Sequence, residues 1–486
     1  MNYLELLRLI SPEAVIVITA LALLGLQFIT PRARDFCFPK AALGIVAAIL
    51  CVKFVLPANA TLCGGMIVIT PLTSLFKIII LLLAFFTVLL ARDNSFTRHP
   101  CEYLAIILFA TVGLMLLVGS QELLMIFIGL ELTGLSLYIL TAFNKSDILA
   151  VEAGLKYFLF GSTASAFTLF GISLIYGMCG STGLEEISHR FSTESAQPLL
   201  IAGVVMTLAG FAFKIAAAPF HLWAADTYQV APIPSAAFIA SGSKVASFFV
   251  LGNILLVGFR SADGAMWQRF DPAWFPLVAI VAALSIIVGN VVALAQRNLR
   301  RLLAYSAVAH AGYTLLGLLA TGAEGFAATL FYTTIYAFTL VGAFGVIALV
   351  RRETGGDDIA NFTGLVKRSP LLAACMGIFL LSLAGLPPFA GFFGKFYLFT
   401  AILHSGESHA GRFLVTIALA GSLVSLYYYL SVLRVIFVDQ SPEEAKTPAI
   451  QMDAIQRITL AILGLAIVIL GIFPDLLAAL ITNALG

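Results

Sequence analysis

The sequence predicts an all-α polytopic membrane protein of about 14 transmembrane helices, forming one transmembrane domain over residues 1–486. Three observations predict it. Of the 486 residues, 61% are hydrophobic and only 11% are charged, against roughly 45–50% and 25% in soluble domains. Mean hydropathy is +1.04. The apolar runs are continuous, as in Ile78–Leu90, and lack the polar alternation of an outer-membrane barrel. One aqueous core of this length does not bury so much apolar surface, which excludes a soluble enzyme and a disordered chain. A net charge of +2 leaves no electrostatic footprint for nucleic acid.

A span takes about 20 apolar residues. Apolar runs read against charged or Pro/Gly breaks give fourteen, at 11–30, 39–57, 70–91, 101–118, 121–142, 153–179, 199–218, 233–258, 273–296, 302–320, 324–350, 369–404, 410–437 and 455–482. The first follows Arg8 and mimics a signal peptide, but apolar spans continue along the chain, so it reads as a retained helix. The longest connections, near 180–198, 351–368 and 438–454, are too short for a soluble domain.

Basic residues sort by side. Connections after spans 1, 3, 5, 9, 11 and 13 hold 16: Arg32, Arg34, Lys40, Arg92, Arg98, Lys145, Arg297, Arg300, Arg301, Arg351, Arg352, Lys367, Arg368, Arg434, Lys446 and Arg457. The opposite side holds 5: Arg8, Arg190, Arg260, Arg269 and Arg412. By the positive-inside rule both termini lie outside the cytoplasm.

Of 27 basic residues six remain within spans, all lysines: Lys53, Lys77, Lys156, Lys214, Lys244 and Lys395. Arginine stays protonated at any accessible pH, whereas a desolvated lysine can release its proton. Lys53 lies near a span end and snorkels. Lys77 reads as snorkelling or as a structural pair. Lys156 is an uptake residue or an anchor. Lys244 lies eleven residues past Ile233, roughly 16 Å into span 8. Lys395 is similarly deep in span 12, and Lys214 is five residues before Pro219 in span 7. Glu131, nine residues into span 5, is roughly 14 Å deep and is the one carboxylate placed near mid-span. Each such charge costs at least ~2.5–3.5 kcal/mol. Glu131 paired with a lysine reads as a movable proton relay or as a static salt bridge. One acid against three deep lysines favours the relay, because a static design leaves no lysines in excess.

Spans 7 and 12 are broken, by Pro219 in Ala217–Ala218–Pro219–Phe220–His221 and by Pro387–Pro388 in Gly385–Leu386–Pro387–Pro388–Phe389. Proline removes a backbone donor, and non-helical backbone at membrane depth survives only inside protein or along a hydrated cavity. Each break lies within seven residues of a deep lysine. Paired breaks in two halves point to an ion site, although a packing kink accounts for one alone. His221 and Asp226 form a polar entrance or a solvated loop. His310, mid-span 10, shares a helix face with Ser306 and joins the relay or is a satisfied core histidine.

Redox chemistry has little support. One histidine inside a span does not ligate a haem-bearing bundle, and no Gly-rich nucleotide loop or cluster motif is present. Cys37, Cys51, Cys63, Cys101, Cys179 and Cys375 are scattered without ligand spacing and read as structural thiols, so neither a metal nor a cofactor is expected in this chain.

The stretches around Glu131, Lys214–Trp223, Asn298–Tyr313 and Gly385–Tyr397 resemble the antiporter-like membrane subunits of proton-pumping NADH–quinone oxidoreductase, respiratory complex I. The resemblance covers nearly the whole chain. It implies two inverted five-helix repeats, each with a broken helix: residues 1–100 hold helices 1–3, 101–258 the first repeat, 273–437 the second, and 455–482 helix 14. It implies that Glu131 and Lys214 form the family's ion pair, with Lys244 the central lysine and Lys395 the distal exit. A distal lysine, with little chain after span 14, is most like the subunit N branch, as are Gly134–Thr141 and Glu152–Gly161.

The resemblance also implies a mechanism. Protons enter from the cytoplasm near His221 or Lys156, reach Lys244 and leave past Lys395, while the Glu131–Lys214 pair modulates the lysines. NADH, FMN, iron–sulfur clusters and quinone belong to partner subunits of the complex, in a bacterial inner membrane beside neighbouring antiporter-like subunits. Two other readings stay open: a subunit of a multi-subunit cation/proton antiporter, and a scaffold with static buried pairs.

Overall fold

The structure is a computed structural model that describes residues 3–29, 33–92, 96–193, 197–260, 274–405, 409–439 and 450–485. It is 83% helical. The N-terminal helices are α1 (Tyr3–Leu9), α2 (Ser11–Ile29), α3 (Ala33–Phe54) and α4 (Pro71–Leu90). Between the last two lies an antiparallel hairpin of β1 (Ala60–Leu62) and β2 (Ile67–Ile69). There follow α5 (Pro100–Val118), α6 (Leu123–Thr141), α7 (Ile148–Cys179), α8 (Leu184–Thr193), α9 (Pro198–Lys214), α10 (Leu222–Val230), α11 (Ile233–Ala240) and α12 (Gly242–Asn253). The next set is α13 (Phe275–Leu294), α14 (Leu299–Leu319), α15 (Ala323–Thr354), α16 (Leu365–Arg368), α17 (Pro370–Ala384), α18 (Ala390–His404) and α19 (His409–Phe437). The chain closes with α20 (Ala454–Ile472) and α21 (Asp475–Leu485).

Polar residues at span ends act as caps. The Thr70 side chain accepts from Thr73 N–H ahead of Pro71, and Glu122 accepts from the amides of Leu124 and Met125 at the start of α6. Asn298 caps α14, and Asp453 with Gln456 forms a capping box on α20. Each removes orphan amide donors that lipid would leave unsatisfied.

Eleven described helical segments are long and apolar enough to cross a membrane, where the sequence predicts fourteen spans. The stretches read as spans 1, 7 and 12 hold shorter apolar helices instead. Span 7 divides into α9 and α10, and span 12 into α17 and α18, at the predicted prolines. Span 14 divides into α20 and α21 ahead of Asp475. Span 8 holds a break that the sequence reading missed, at Ser241 (φ −114°, ψ −82°). Of the basic residues sorted by side, Arg32, Arg269 and Lys446 lie outside the described residues.

The centre is built from α14, α15 and the α11–α12 segment, 94%, 89% and 94% buried over their most apolar windows. The windows of α7, α13 and α19 are 28%, 39% and 33% buried and form the rim. The breaks in α9–α10, α11–α12 and α17–α18 are thereby packed against protein, where their free backbone groups find partners.

Candidate functional site

The first break begins at Lys214, the last residue of α9, so this lysine closes a helix rather than lying within one. Residues 215–221 are non-helical, with Ala216 at φ +58° and a cis Ala218–Pro219 peptide. Ala218 N–H donates to Ser285 Oγ on α13 at 2.8 Å, and Trp223 Nε1–H donates to the Phe213 carbonyl at 3.1 Å. Lys214 Nζ donates to the Leu130 carbonyl at 3.4 Å and stands 5.7 Å from the Tyr138 ring centroid. A Cβ on Gly134 would lie 2.7 Å from this amine, so α6 needs a glycine there for the lysine to approach.

Glu131 follows Leu130 on α6, is half-buried, and accepts a hydrogen bond from Ser165 of α7. It lies within electrostatic reach of Lys214, but no ion pair within 4 Å joins them. The expected pair is therefore a near approach in this conformation. One side chain turns to a carbonyl and the other to a hydroxyl.

The Ser241 break places Lys244 in the first turn of α12. Its Nζ donates to the Ala307 carbonyl of α14 at 2.7 Å and lies 5.4 Å from the Tyr336 ring centroid. One turn along α14, His310 sits between the tyrosines. Its Nδ1 bonds the Tyr332 hydroxyl, and its Nε2 is 3.2 Å from the Tyr429 hydroxyl, which also bonds Ser306. His310 is within electrostatic reach of both Lys244 and Lys395. The predicted Ser306–His310 stripe is thus one hydrogen-bonded unit joined through Tyr429.

Lys395 lies in the second turn of α18, past the break at Pro387 and Pro388. Its Nζ donates to the Ala384 carbonyl at 3.0 Å and to Ser422 Oγ of α19 at 2.9 Å, 5.1 Å from the Tyr313 ring centroid. Ala384 is the last residue of α17, so the amine takes a carbonyl that the helix end leaves free. Gly385 follows in the left-handed region at φ +82°, and a Cβ there would lie 2.9 Å from Lys395 Cδ. Tyr313 bonds Asn290, which bonds Tyr428, extending the polar line into α13 and α19.

Lys214, Lys244 and Lys395 are 8%, 3% and 4% exposed. Among the described residues no carboxylate stands within 4 Å of any of the three amines. Each amine is held by carbonyls, with a hydroxyl added at Lys395. Two other buried cations are paired with carboxylates. Lys77 meets Glu13 at 2.7 Å, which selects the structural pair over snorkelling. Arg300, read as a connection residue, is wholly buried at the start of α14 and meets Asp357 at 3.2 Å. The sequence reading missed this because Asp357 is brought from the connection after α15.

The predicted entrance residues divide. Lys156 is half-exposed, bridging Glu152 at 2.7 Å and Asp226 at 3.2 Å. Asp226 also meets Arg301 at 2.9 Å. These charges form a surface cluster apart from the buried line. His221 is buried beside Tyr305, and its Nδ1 has no hydrogen-bond partner. Residues unforeseen in the line are Ser165, Ser422, Asn290 and the tyrosines Tyr138, Tyr313, Tyr332, Tyr336 and Tyr429. A lone Asn inside an apolar span was the legible signal among them. Among the described residues no three His, Cys, Asp or Glu side chains cluster as metal ligands.

Residues 120–424 match the family described as NADH:quinone oxidoreductase/Mrp antiporter, TM. NADH-quinone oxidoreductase subunit N 2 of Acidobacterium capsulatum is 45% identical, with 98% of each chain covered. Subunit N of Desulforamulus reducens is 38% identical, over 97% of this chain and 96% of the relative. The chain belongs to the NADH-quinone oxidoreductase subunit N family. A chain of respiratory complex I from Thermus thermophilus, solved with aureothin, superposes with TM-score 0.79 at 31% identity, over 96% of this chain and 98% of that one. The membrane-bound sulfane sulfur reductase, an archaeal respiratory complex, gives TM-score 0.85 at 24% identity over 99% and 97%. The Mrp complex of Dietzia sp. gives 0.80 at 21% over 97% and 96%. These last two show a shared fold. In this subunit N family member the buried lysine line runs through the matched region, from Glu131 to Ser422.

Proposed function

We propose that this chain is a proton-translocating membrane subunit N of an NADH–quinone oxidoreductase, carrying protons along Lys214, Lys244, His310 and Lys395. One observation carries the reading: three buried lysines stand without a carboxylate partner among the described residues. An isolated buried ammonium is costly, so each amine is poised to lose its proton and regain it. The carbonyl acceptors hold the amine in place in either state. Glu131, close to Lys214 but bonded to Ser165, is free to form or break an ion pair and so to bias Lys214. Tyr332, Tyr429 and Ser306 carry protons between His310 and its surroundings by exchanging hydroxyl hydrogens.

In this reading residues 101–258 and 273–437 are two inverted repeats, each contributing a broken helix. Both termini face away from the cytoplasm of a bacterial inner membrane, and protons leave past Lys395. NADH oxidation and quinone reduction, with FMN, iron–sulfur clusters and quinone, belong to other subunits. Redox centres are absent from the role assigned to this chain.

Lys244→Arg tests the reading, because arginine keeps the charge but not the exchangeable proton. The assembled complex is expected to lose about 100-fold or more of quinone-linked proton pumping. Normal pumping in that variant would sink the relay. A cation/proton antiporter subunit is the second reading, favoured by the fold likeness to the Mrp complex. Restoration of salt tolerance to an antiporter-deficient strain by its operon, without NADH–quinone activity, would select it.

A further inference from the structure

Tyr138 of α6 is buried, and its hydroxyl has no hydrogen-bond partner among the described residues. Such groups are rare inside proteins and costly to keep. Space is cleared around this one. A Cβ on Gly161 of α7 would collide with the hydroxyl oxygen, and a Cβ on Gly134 of α6 would lie 3.1 Å from it. The ring is held edge-on by Tyr157, which stacks on Trp223 at 4.1 Å. Trp223 in turn donates to the Phe213 carbonyl, next to Lys214. The ring is thus fixed, with room left about its hydroxyl.

Its neighbour is the Lys214 amine. The point a Gly134 Cβ would occupy lies 2.7 Å from Lys214 Nζ and 3.1 Å from the Tyr138 oxygen, so a small rotation joins the two. Nζ also stands 5.7 Å from the Tyr138 ring centroid, inside the ~6 Å reach of a cation over an aromatic face. Glu131 of α6 is within electrostatic reach of both side chains. Tyr157 of α7 stands behind Tyr138, while α10 and α13 present the neutral Trp223 and Ser285. A lysine that changes charge needs two kinds of partner. The ammonium has donors and no acceptor, and the Leu130 carbonyl and the ring face suit it. The free amine carries a lone pair, which a hydroxyl can satisfy and a carbonyl cannot. Lys395 has such a hydroxyl in Ser422 at 2.9 Å. Lys244 faces Tyr336, whose hydroxyl is likewise buried and unpartnered among the described residues.

We propose that Tyr138 is a positioning residue for Lys214, its ring face holding the ammonium and its hydroxyl donating to the free amine. When Lys214 gives its proton to the relay, the Tyr138 O–H turns to the nitrogen lone pair and stays intact. When a proton returns, the ammonium releases the hydroxyl into the space beside Gly161. Tyr138 itself neither gains nor loses a proton over the cycle. The inference rests on the reading of Lys214 as a proton carrier.

Tyr138→Phe separates the two parts, since it keeps the ring and removes the hydroxyl. The test measures quinone-linked proton uptake by the assembled complex in inside-out membrane vesicles over a pH series. Complex content is fixed by NADH oxidation to a hydrophilic acceptor. Without its donor the free amine is disfavoured, so Lys214 keeps its proton to higher pH. The acid limb of the uptake profile is expected to move about half to one pH unit toward alkaline. On that limb uptake falls about three- to tenfold. A uniform loss across the series overturns the proposal, because lost packing does not move the profile. An unchanged profile, or a shift toward acid, overturns it too. Should Tyr138→Phe fail to assemble, a fluorinated tyrosine at position 138 decides the matter. Its phenol is a stronger donor of nearly the same shape, so the limb is expected to move toward acid. An unmoved limb there overturns the proposal. Lys214→Met is measured alongside. If it pumps normally, the carrier reading fails. If it is inactive while Tyr138→Phe keeps the parent profile, only this inference fails.

Discussion

Lys77 and Lys244 are both almost wholly buried, at 1% and 3% exposure, and they are treated in opposite ways. Lys77 meets the Glu13 carboxylate at 2.7 Å, tying α4 to α2. Lys244 instead donates to the Ala307 carbonyl and faces the Tyr336 ring, at the first turn of a helix that starts from a break. Arg300 with Asp357 follows the first pattern, and Lys214 and Lys395 follow the second. A paired buried charge is locked, since losing either partner strands the other. A lysine on a carbonyl can change its charge without stranding anything. The fold therefore separates buried cations held by a carboxylate from buried lysines held by carbonyls.

Lys395→Arg is the severest challenge to this contrast. The second pattern predicts about 100-fold or greater loss of pumping with assembly retained, read as proton uptake per assembled complex. At the paired position the failure is of another kind. Lys77→Met strands Glu13 and is expected to cost about 3–5 kcal/mol, seen as lower assembled complex on native gels. Turnover per assembled complex should stay normal, and Lys77→Met/Glu13→Leu should recover most of the yield. A recovered yield with lost turnover would move Lys77 to the other class. Gly385→Ala forces a left-handed alanine against Lys395 and is expected to cost roughly 1–2 kcal/mol in the backbone, lowering thermal stability and pumping together. Ser422→Ala removes one of two acceptors for Lys395, a net loss of about 1 kcal/mol, and should change turnover by about fivefold or less. Lys156→Ala touches only surface ion pairs, so pumping should be unchanged within error.

Much of this was legible before the fold. Lys214, Lys244 and Lys395 stand out because charges inside apolar runs are rare and costly. Pro219, Pro387 and Pro388 announce two of the breaks because proline cannot continue the backbone ladder. The Ser241 break was hidden, since serine and glycine interrupt a span without a proline. Arg300 looked like a loop residue because it opens α14 beside other basic residues. Only its burial against Asp357 reveals the pair. The Glu131–Lys214 contact was expected as an ion pair, yet Lys214 donates to the Leu130 carbonyl while Glu131 accepts from Ser165.

The sequence by itself determined the class, the helices and the three deep lysines, because hydropathy and the cost of buried charge act residue by residue. Tertiary structure decided which charges have partners. Glu13 and Lys77 are 64 residues apart, Arg300 and Asp357 are 57 apart, and Lys244 finds its carbonyl 63 residues away. Pairing depends on which helix faces touch, and local chemistry carries no record of that.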